Sequence, residues 1–356
     1  MYREKKSLVL SIYYEDDSIQ IIETEVGACQ AIVYKTFIPP VVTGDEILIN
    51  TTATELSLGS GGFDIVKANC SGTEYSYGTK RDGHIMKLRY SPMQHSVLAI
   101  EAQESPYHSL FQHPFLMKNK QILLAELHSM IPVAFYVSKA LNPKLSVCVI
   151  IDDQASLPLR ISEQMRCLAQ EPGLTTITVG QAFGGTYEAI TIPSALQFSM
   201  EYLKADIILI SVGPGVVGTG TPYGFTGMNL ANWANTIGAL GGRPVWIPRL
   251  SFAEERNRHY GISHHTLTPL SQFTFVKSIL TFPLLGDKQR TIIENQLEKN
   301  PMKTSHYINW SDEDSSLIVE KALQLSSLPI RTMGREYKDD PAFFLAVGEA
   351  VRTCVR

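Results

Sequence analysis

Along the first 115 residues the apolar positions fall in short runs broken by turn-prone residues, with no helical period. Leu8 to Tyr14, Ser18 to Glu23, Cys29 to Thr36 and Glu46 to Asn50 read as strands. Asp64 to Ala68, Ile85 to Tyr90 and Ser96 to Ile100 bring the total to about seven. Pro39-Pro40, Gly44-Asp45 and the LGSGG turn (58–62) separate them. Regular short strands with turns predict a small β-barrel or sandwich. Asn50, Thr51 and Thr52, beside that glycine turn, read as part of a hairpin with Thr in β-favoured positions.

From about residue 120 the pattern becomes one of apolar runs alternating with helical periods. Ile122 to Leu127 is a compact apolar run, and a helix follows near Pro132. LSVCVII (145–151) is apolar at nearly every position, as a strand covered on both faces would be. Thr175 to Val179, Asp206 to Val212 and Pro244 to Pro248 read as further strands. Leu159 to Ala169, Ser194 to Leu203 and Leu230 to Leu240 read as helices, the last stopped by Gly241-Gly242. This alternation predicts an α/β, Rossmann-like, mostly parallel sheet flanked by helices. The expected division is a β domain over 1–115 and an α/β domain over 116–356. The last part of the second, from about 266, is expected to be a helical extension, with a polar loop near 309–314 and helices near 316–325 and 341–352.

Composition narrows the class. With 44% hydrophobic and 19% charged residues, the 356-residue chain can bury a large core and is not disordered. A net charge of -4 argues against a global basic field for nucleic acid. No apolar run is long enough to span a bilayer. The basic-then-apolar start meets Glu15, Asp16 and Asp17 too early for a signal peptide. Five scattered cysteines with no C-x-x-C pair fit a reduced, cytoplasmic protein.

Ligands of open parallel sheets bind outside the carboxyl ends of the strands. The predicted strands lead in turn to His128-Ser129, to Asp152, Asp153 and Gln154, and to Gly180, Gln181, Gly184, Gly185 and Glu188. The fourth leads to GPGVVGTGTPYGFTG (213–227), and the fifth to RLSFAEERNRHYGISHHT (249–266). Segment 213–227 contains G-x-G-x-x-G at Gly213, Gly215 and Gly218. The later Gly220, Pro222, Gly224 and Gly227 break the helix a dinucleotide site needs, and Trp233 stands where its ribose-binding acid would be. An anion nest of backbone donors with the hydroxyls of Thr219, Thr221 and Thr226 is the better reading. Tight packing that needs positive φ remains the alternative. Arg249, Arg256 and Arg258 are candidate anion holders, since guanidinium groups bind carboxylate and phosphate bidentately. His259, His264 or His265 are candidate acid–base groups, with Asp152 or Asp153 as partner and Ser263 as a helix cap. Binding one metal with both adjacent histidines would need an irregular turn, and His128, Asp152, Asp153 and one of the three histidines would supply a metal's ligands only if the fold brings them together. No cofactor is assigned.

Six segments in order carry a resemblance: GDEILINTTATELSLGSGG, GHIMKLRYSP, VGQAFGGTYEAI, GPGVVGTGTPYGFTG, GGRPVWIPRLSF and YGISHHTLTPL. Over residues of about 40 to 270 the chain resembles the bacterial family called domain of unknown function 3866. The resemblance implies a bacterial cytosolic protein and imports no activity.

Three functions stay open. One is an enzyme acting on a small anionic metabolite. A second is a non-catalytic sensor or partner-binding protein using the same cleft. The third gives the β domain an oligonucleotide role, resting on Lys67, Lys80, Arg81, Lys87 and Arg89 near Tyr75, Tyr77 and Tyr90, against the overall charge. No nucleophile elbow, Walker A or H-E-x-x-H motif is present. The apolar stretch Phe273 to Leu285 reads as core or as a homo-oligomer face.

Overall fold

The computed structural model describes every residue except 59–60, 73–74, 76–82, 154, 156 and 356. Gly59, Ser60, Tyr77, Lys80, Arg81 and Gln154, named above, lie outside the described residues. The chain forms two compact units: Met1–Asp82 with Arg89–His95, and Gly83–Leu88 with Ser96–Arg356.

The first unit is a closed five-stranded barrel, ordered β1-β2-β3-β5-β4. Its strands are β1 (Glu4–Glu15), β2 (Ile19–Thr24), β3 (Gln30–Tyr34), β4 (Glu46–Asn50) and β5 (Asp64–Asn69). The twelve-residue β1 closes the barrel by pairing with β4 through its first half and with β2 through its second. Register shifts near Val9 and Ile12 let it bend between the two partners. Val9, Ile22, Ala31, Val33, Ile47, Ile49 and Val66 fill the interior, following the in–out alternation of each strand. The Thr52 region is not a hairpin: Thr52–Glu55 forms one helical turn, α1. Its start is held by local bonds, with Thr52 N–H donating to Asn50 Oδ1 and Thr51 Oγ1 to Glu55. Lys67, one of the basic residues of the nucleic-acid reading, is ion-paired with Glu4 at 2.7 Å.

Two short strands, β6 (Ile85–Lys87) and β7 (His95–Val97), pair outside the barrel. Lys87 is not available to nucleic acid. It is 1% exposed, donates to Ala182 O at 2.8 Å, and pairs with Glu188 at 3.2 Å, all within the second unit.

The second unit is built on eight parallel strands ordered β11-β10-β9-β12-β8-β13-β16-β17. The five expected strands are β8 (Gln121–Ala125), β9 (Val147–Asp153), β10 (Leu174–Gly180), β12 (Ile207–Ser211) and β13 (Arg243–Trp246). The other three are β11 (Tyr187–Ala189), β16 (Ile279–Phe282) and β17 (Tyr307–Trp310). Residues 266–299, expected to be helical, therefore contain a strand, and the tail adds another. Both are four residues long, below the length at which a period separates strand from helix. The short pair β14 (Leu250–Ser251) and β15 (Gly261–Ile262) lies after β13.

Alternate residues of each central strand enter two cores. Ile122, Leu124, Cys148, Ile150, Ile208 and Ile210 pack on one face with α4 (Ile192–Glu201) and α5 (Asn229–Ala239). Leu123, Ala125, Val147, Val149, Ile151, Ile207 and Leu209 face α2 (Met130–Leu141), α3 (Glu163–Leu168), α8 (Ser316–Leu325) and most of α9 (Pro341–Val355). This is why the chain is apolar at every position from Val147 to Ile151. The short α6 (His264–Thr268) and the exposed α7 (Asp287–Lys299) complete the helices. α5 ends before Gly241, whose φ of +72° makes it the helix stop. Among the described residues no helix is long and apolar enough to cross a membrane. Within Phe273 to Leu285, Ile279, Leu280 and Phe282 are core, whereas Phe275 and Leu284 are exposed.

Phe198 of α4 is fully buried and touches the rings of Tyr107, Tyr187 and Tyr202 at centroid distances of 4.7–4.9 Å. Phe198→Ala should lower the stability of this unit by about 3–5 kcal/mol. A urea titration followed by near-UV circular dichroism of the aromatic cluster measures it.

Candidate functional site

The site begins at Glu126, the first residue beyond β8, one of the central strands of the sheet. Its side chain is fully buried. Oε1 accepts from Arg249 Nη1 at 2.9 Å and from His265 Nδ1 at 2.8 Å. Oε2 has no partner among the described residues. Burial by itself would raise this carboxyl's pKa, but the Arg249 guanidinium and His265 outweigh it and hold it below the usual range. The carboxylate is therefore ionised beneath the rim. It was not among the expected site residues because it falls inside the apolar run Ile122 to Leu127. One acid in a strand that should be buried on both faces was the available signal.

Arg249, expected to hold a ligand, is instead buried against Glu126 and is not free to do so. Its backbone N–H donates to Thr266 Oγ1 at 3.0 Å, locking the end of the β13 connection to α6. Arg256, also expected at the ligand, makes a two-pronged pair with Glu254 at 2.8 and 2.9 Å. Arg258 differs from both: it is exposed and forms no ion pair among the described residues.

The three histidines come together. Ser263 caps α6 by accepting from His265 N–H at 3.1 Å, as its position suggested. His264 and His265 thus form the first turn of α6, where successive side chains are only about 100° apart, and their ring centroids lie 4.3 Å apart. His259 comes in from the preceding turn, 4.8 Å from His265 and 5.1 Å from His264. One ring nitrogen from each of the three lies within 4.8 Å of the other two. Burial, with Arg249 and the neighbouring histidines adding to it, pushes the His259 pKa down to about 3. Burial also lowers that of His264. Both are neutral imidazoles at pH 7.

Segment 213–227 covers this cluster. Phe225 stacks on His265, with centroids 4.0 Å apart and planes 3° from parallel. A Cβ at Gly218 would stand 3.5 Å from His265 Nε2, and one at Gly220 3.4 Å from Arg258 Nη1. The segment closes as a small hairpin, Thr219 N–H donating to Gly224 O and Thr226 N–H to Val217 O. The Thr219 and Thr221 hydroxyls, expected around an anion, bond each other at 2.9 Å, and both also serve the backbone of Gly224. Gly215 and Gly220 have φ of +101° and +74°, and among the described residues their N–H groups have no partner in the chain. Gly213 N–H donates to Asp153 Oδ2 at 2.8 Å, which anchors the start of the segment.

Other expected groups lie apart from this cluster. Asp152 accepts from Trp233 Nε1 at 2.6 Å, not from a histidine. Burial raises its pKa, the Trp233 N–H opposing and the Asp153 charge adding. Asp153 is occupied by Gly213 and by Ala155 N–H. The carboxylate partner of a histidine is thus Glu126, not Asp152 or Asp153. His128 bonds Val212 O at 3.0 Å and Ser162 Oγ at 2.7 Å, so both of its ring nitrogens are occupied. The N–H groups of Gly184 and Gly185 go to Glu188 and Thr178, and they form an internal turn in place of a ligand cradle.

Two measurements test this geometry. Glu126→Ala should cost about 3–5 kcal/mol by urea titration, because it strands a buried guanidinium. The depressed His259 pKa makes the unfolded chain bind the extra proton between the ordinary histidine value and about 3. Stability in that window therefore falls as pH falls. The thermal midpoint should drop between pH 6.5 and 4, and His259→Gln should flatten the slope.

No curated protein is similar enough to the chain to count as a match. A family model matches residues 30–351, beyond the stretch where the resemblance was legible and through the C-terminal tail. The chain therefore belongs to the family described as Protein of unknown function (DUF3866).

Proposed function

We propose that the protein is an enzyme acting on a small anionic metabolite, phosphorylated or carboxylated, bound at the carboxyl-end rim of the parallel sheet. One observation carries this reading: among the described residues, a cation without an ion pair, backbone donors without a partner and three imidazoles meet at one place. Arg258 provides the charge beside Gly220. Gly215 and Gly220 provide N–H groups in a conformation that side chains rarely adopt. His259, His264 and His265 provide the reactive nitrogens under Phe225 and Gly218. Glu126 fixes His265 through Nδ1, the arrangement that orients a catalytic imidazole.

The test is a thermal-shift panel of sugar phosphates, nucleotides and small carboxylic acids, followed by turnover assays on each compound that binds. A compound at a hundred times its Kd should stabilise the chain by about 2.7 kcal/mol. Arg258→Ala and Gly215→Val should remove the shift. His264→Ala should abolish turnover while the shift remains. A flat panel on folded protein would overturn the anion site. Binding without turnover of any bound compound would overturn the enzyme in favour of a sensor.

A further inference from the structure

We infer that His259, His264 and His265 together bind one divalent transition-metal ion, with an open coordination position facing segment 213–227. The hydrogen bonds of the three rings carry the argument, because they decide which nitrogen of each ring holds the lone pair. His264 Nδ1 lies 3.2 Å from Arg258 O, and a carbonyl only accepts, so Nδ1 carries the proton. His265 Nδ1 lies 2.8 Å from the Glu126 carboxylate, closer than Arg249 Nη1 at 3.3 Å, so it also donates. His259 Nε2 accepts from Arg258 Nε at 3.3 Å, so its proton is on Nδ1, 2.7 Å from Ser263 Oγ. All three rings are the same tautomer, with Nε2 as the ligand atom.

Each Nδ1–H thus donates to a carboxylate, a carbonyl or a hydroxyl, and this is how imidazoles that bind metals are held. One nitrogen from each ring lies within 4.8 Å of the other two. Zinc–nitrogen bonds are about 2.0–2.1 Å, which sets how closely the three nitrogens must gather around an ion. The charge is suitable as well. Glu126 is a buried anion directly behind His265, and its Oε2 has no partner among the described residues. Neutral imidazoles favour zinc, copper, iron or nickel over magnesium or calcium. Three protein ligands with one open position are the pattern of a reactive site, not of a purely structural one. An ion would displace the Arg258 Nε bond to His259, which frees the guanidinium for the anion. The ligands of the metal site stand independently of the proposed function. Only the use of the open position rests on that reading.

The test uses the full chain, stripped by a chelator and dialysed, and titrated with Zn2+ by calorimetry and with Co2+ by visible absorption. One equivalent of each ion should bind, and Co2+ should give the absorption bands of a nitrogen-rich site of four or five ligands. His264→Gln, at the half-buried ring, should weaken Zn2+ binding at least tenfold and remove the Co2+ bands while the far-UV spectrum is unchanged. Glu126→Gln should weaken binding about 10- to 100-fold through the His265 ring. Absence of a stoichiometric site in the wild-type chain would overturn the inference without recourse to any variant. So would wild-type binding in His259→Gln, His264→Gln and His265→Gln alike. The anion panel repeated on stripped protein separates the two proposals. A phosphate-dependent shift with no metal binding sinks the metal site alone, and metal binding with a flat panel sinks the anion reading alone.

Discussion

A carboxylate buried at the end of a central strand governs this site. Glu126 has no exposed side-chain surface, and an ionised group there is stable only when opposed by charge and hydrogen bonds. Arg249 and His265 supply both, and in doing so they fix two chain segments. The connection leaving β13 must pass close enough for Arg249 to reach, and α6 must begin where His265 Nδ1 can reach the same oxygen. The His259 turn, the Ser263 cap and the stacked Phe225 then follow from where α6 starts.

Sheet topology decides which loops join them. β8 lies between β12 and β13, so the connections that leave all three strands emerge as neighbours. The rim is polar because the strands beneath are not: alternate residues enter two apolar cores, and the polar groups gather where the strands stop. Segment 213–227 is tied at its start to Asp153 and lies over the histidines by Phe225 and Gly218. Its glycines have two distinct uses. Gly215 and Gly220 allow positive φ, whereas Gly213 and Gly224 leave room that a Cβ would take from Leu157 and from Thr219.

The arginines show how composition misleads about availability. Three guanidinium groups within ten residues suggest a strongly cationic cleft. Arg249 is neutralised by Glu126 and Arg256 by Glu254, so only Arg258 presents charge without an ion pair among the described residues. The same holds for Lys67 and Lys87, whose charges answer Glu4 and Glu188. A side chain that already has a carboxylate partner stabilises the fold locally and does not recruit a ligand.

The sequence by itself determined the architecture. Five strands of a parallel sheet and the barrel before it were legible because period and turn chemistry are local properties. It also pointed to the strand ends as the place to look for a site, since the ends of parallel strands are where ligand-binding loops gather. The strands β16 and β17 were not legible, being too short to show a period. Tertiary structure alone decided the pairings. Asp152, Asp153 and Glu126 are all acids at strand ends, but distance gives Trp233 to the first, a backbone N–H to the second and a histidine to the third. It also decided that two adjacent histidines and His259 share one space, because His259 comes in from the preceding turn against the first turn of α6. Which side chains meet depends on how loops far apart in sequence are brought to one sheet edge, and no local pattern records that.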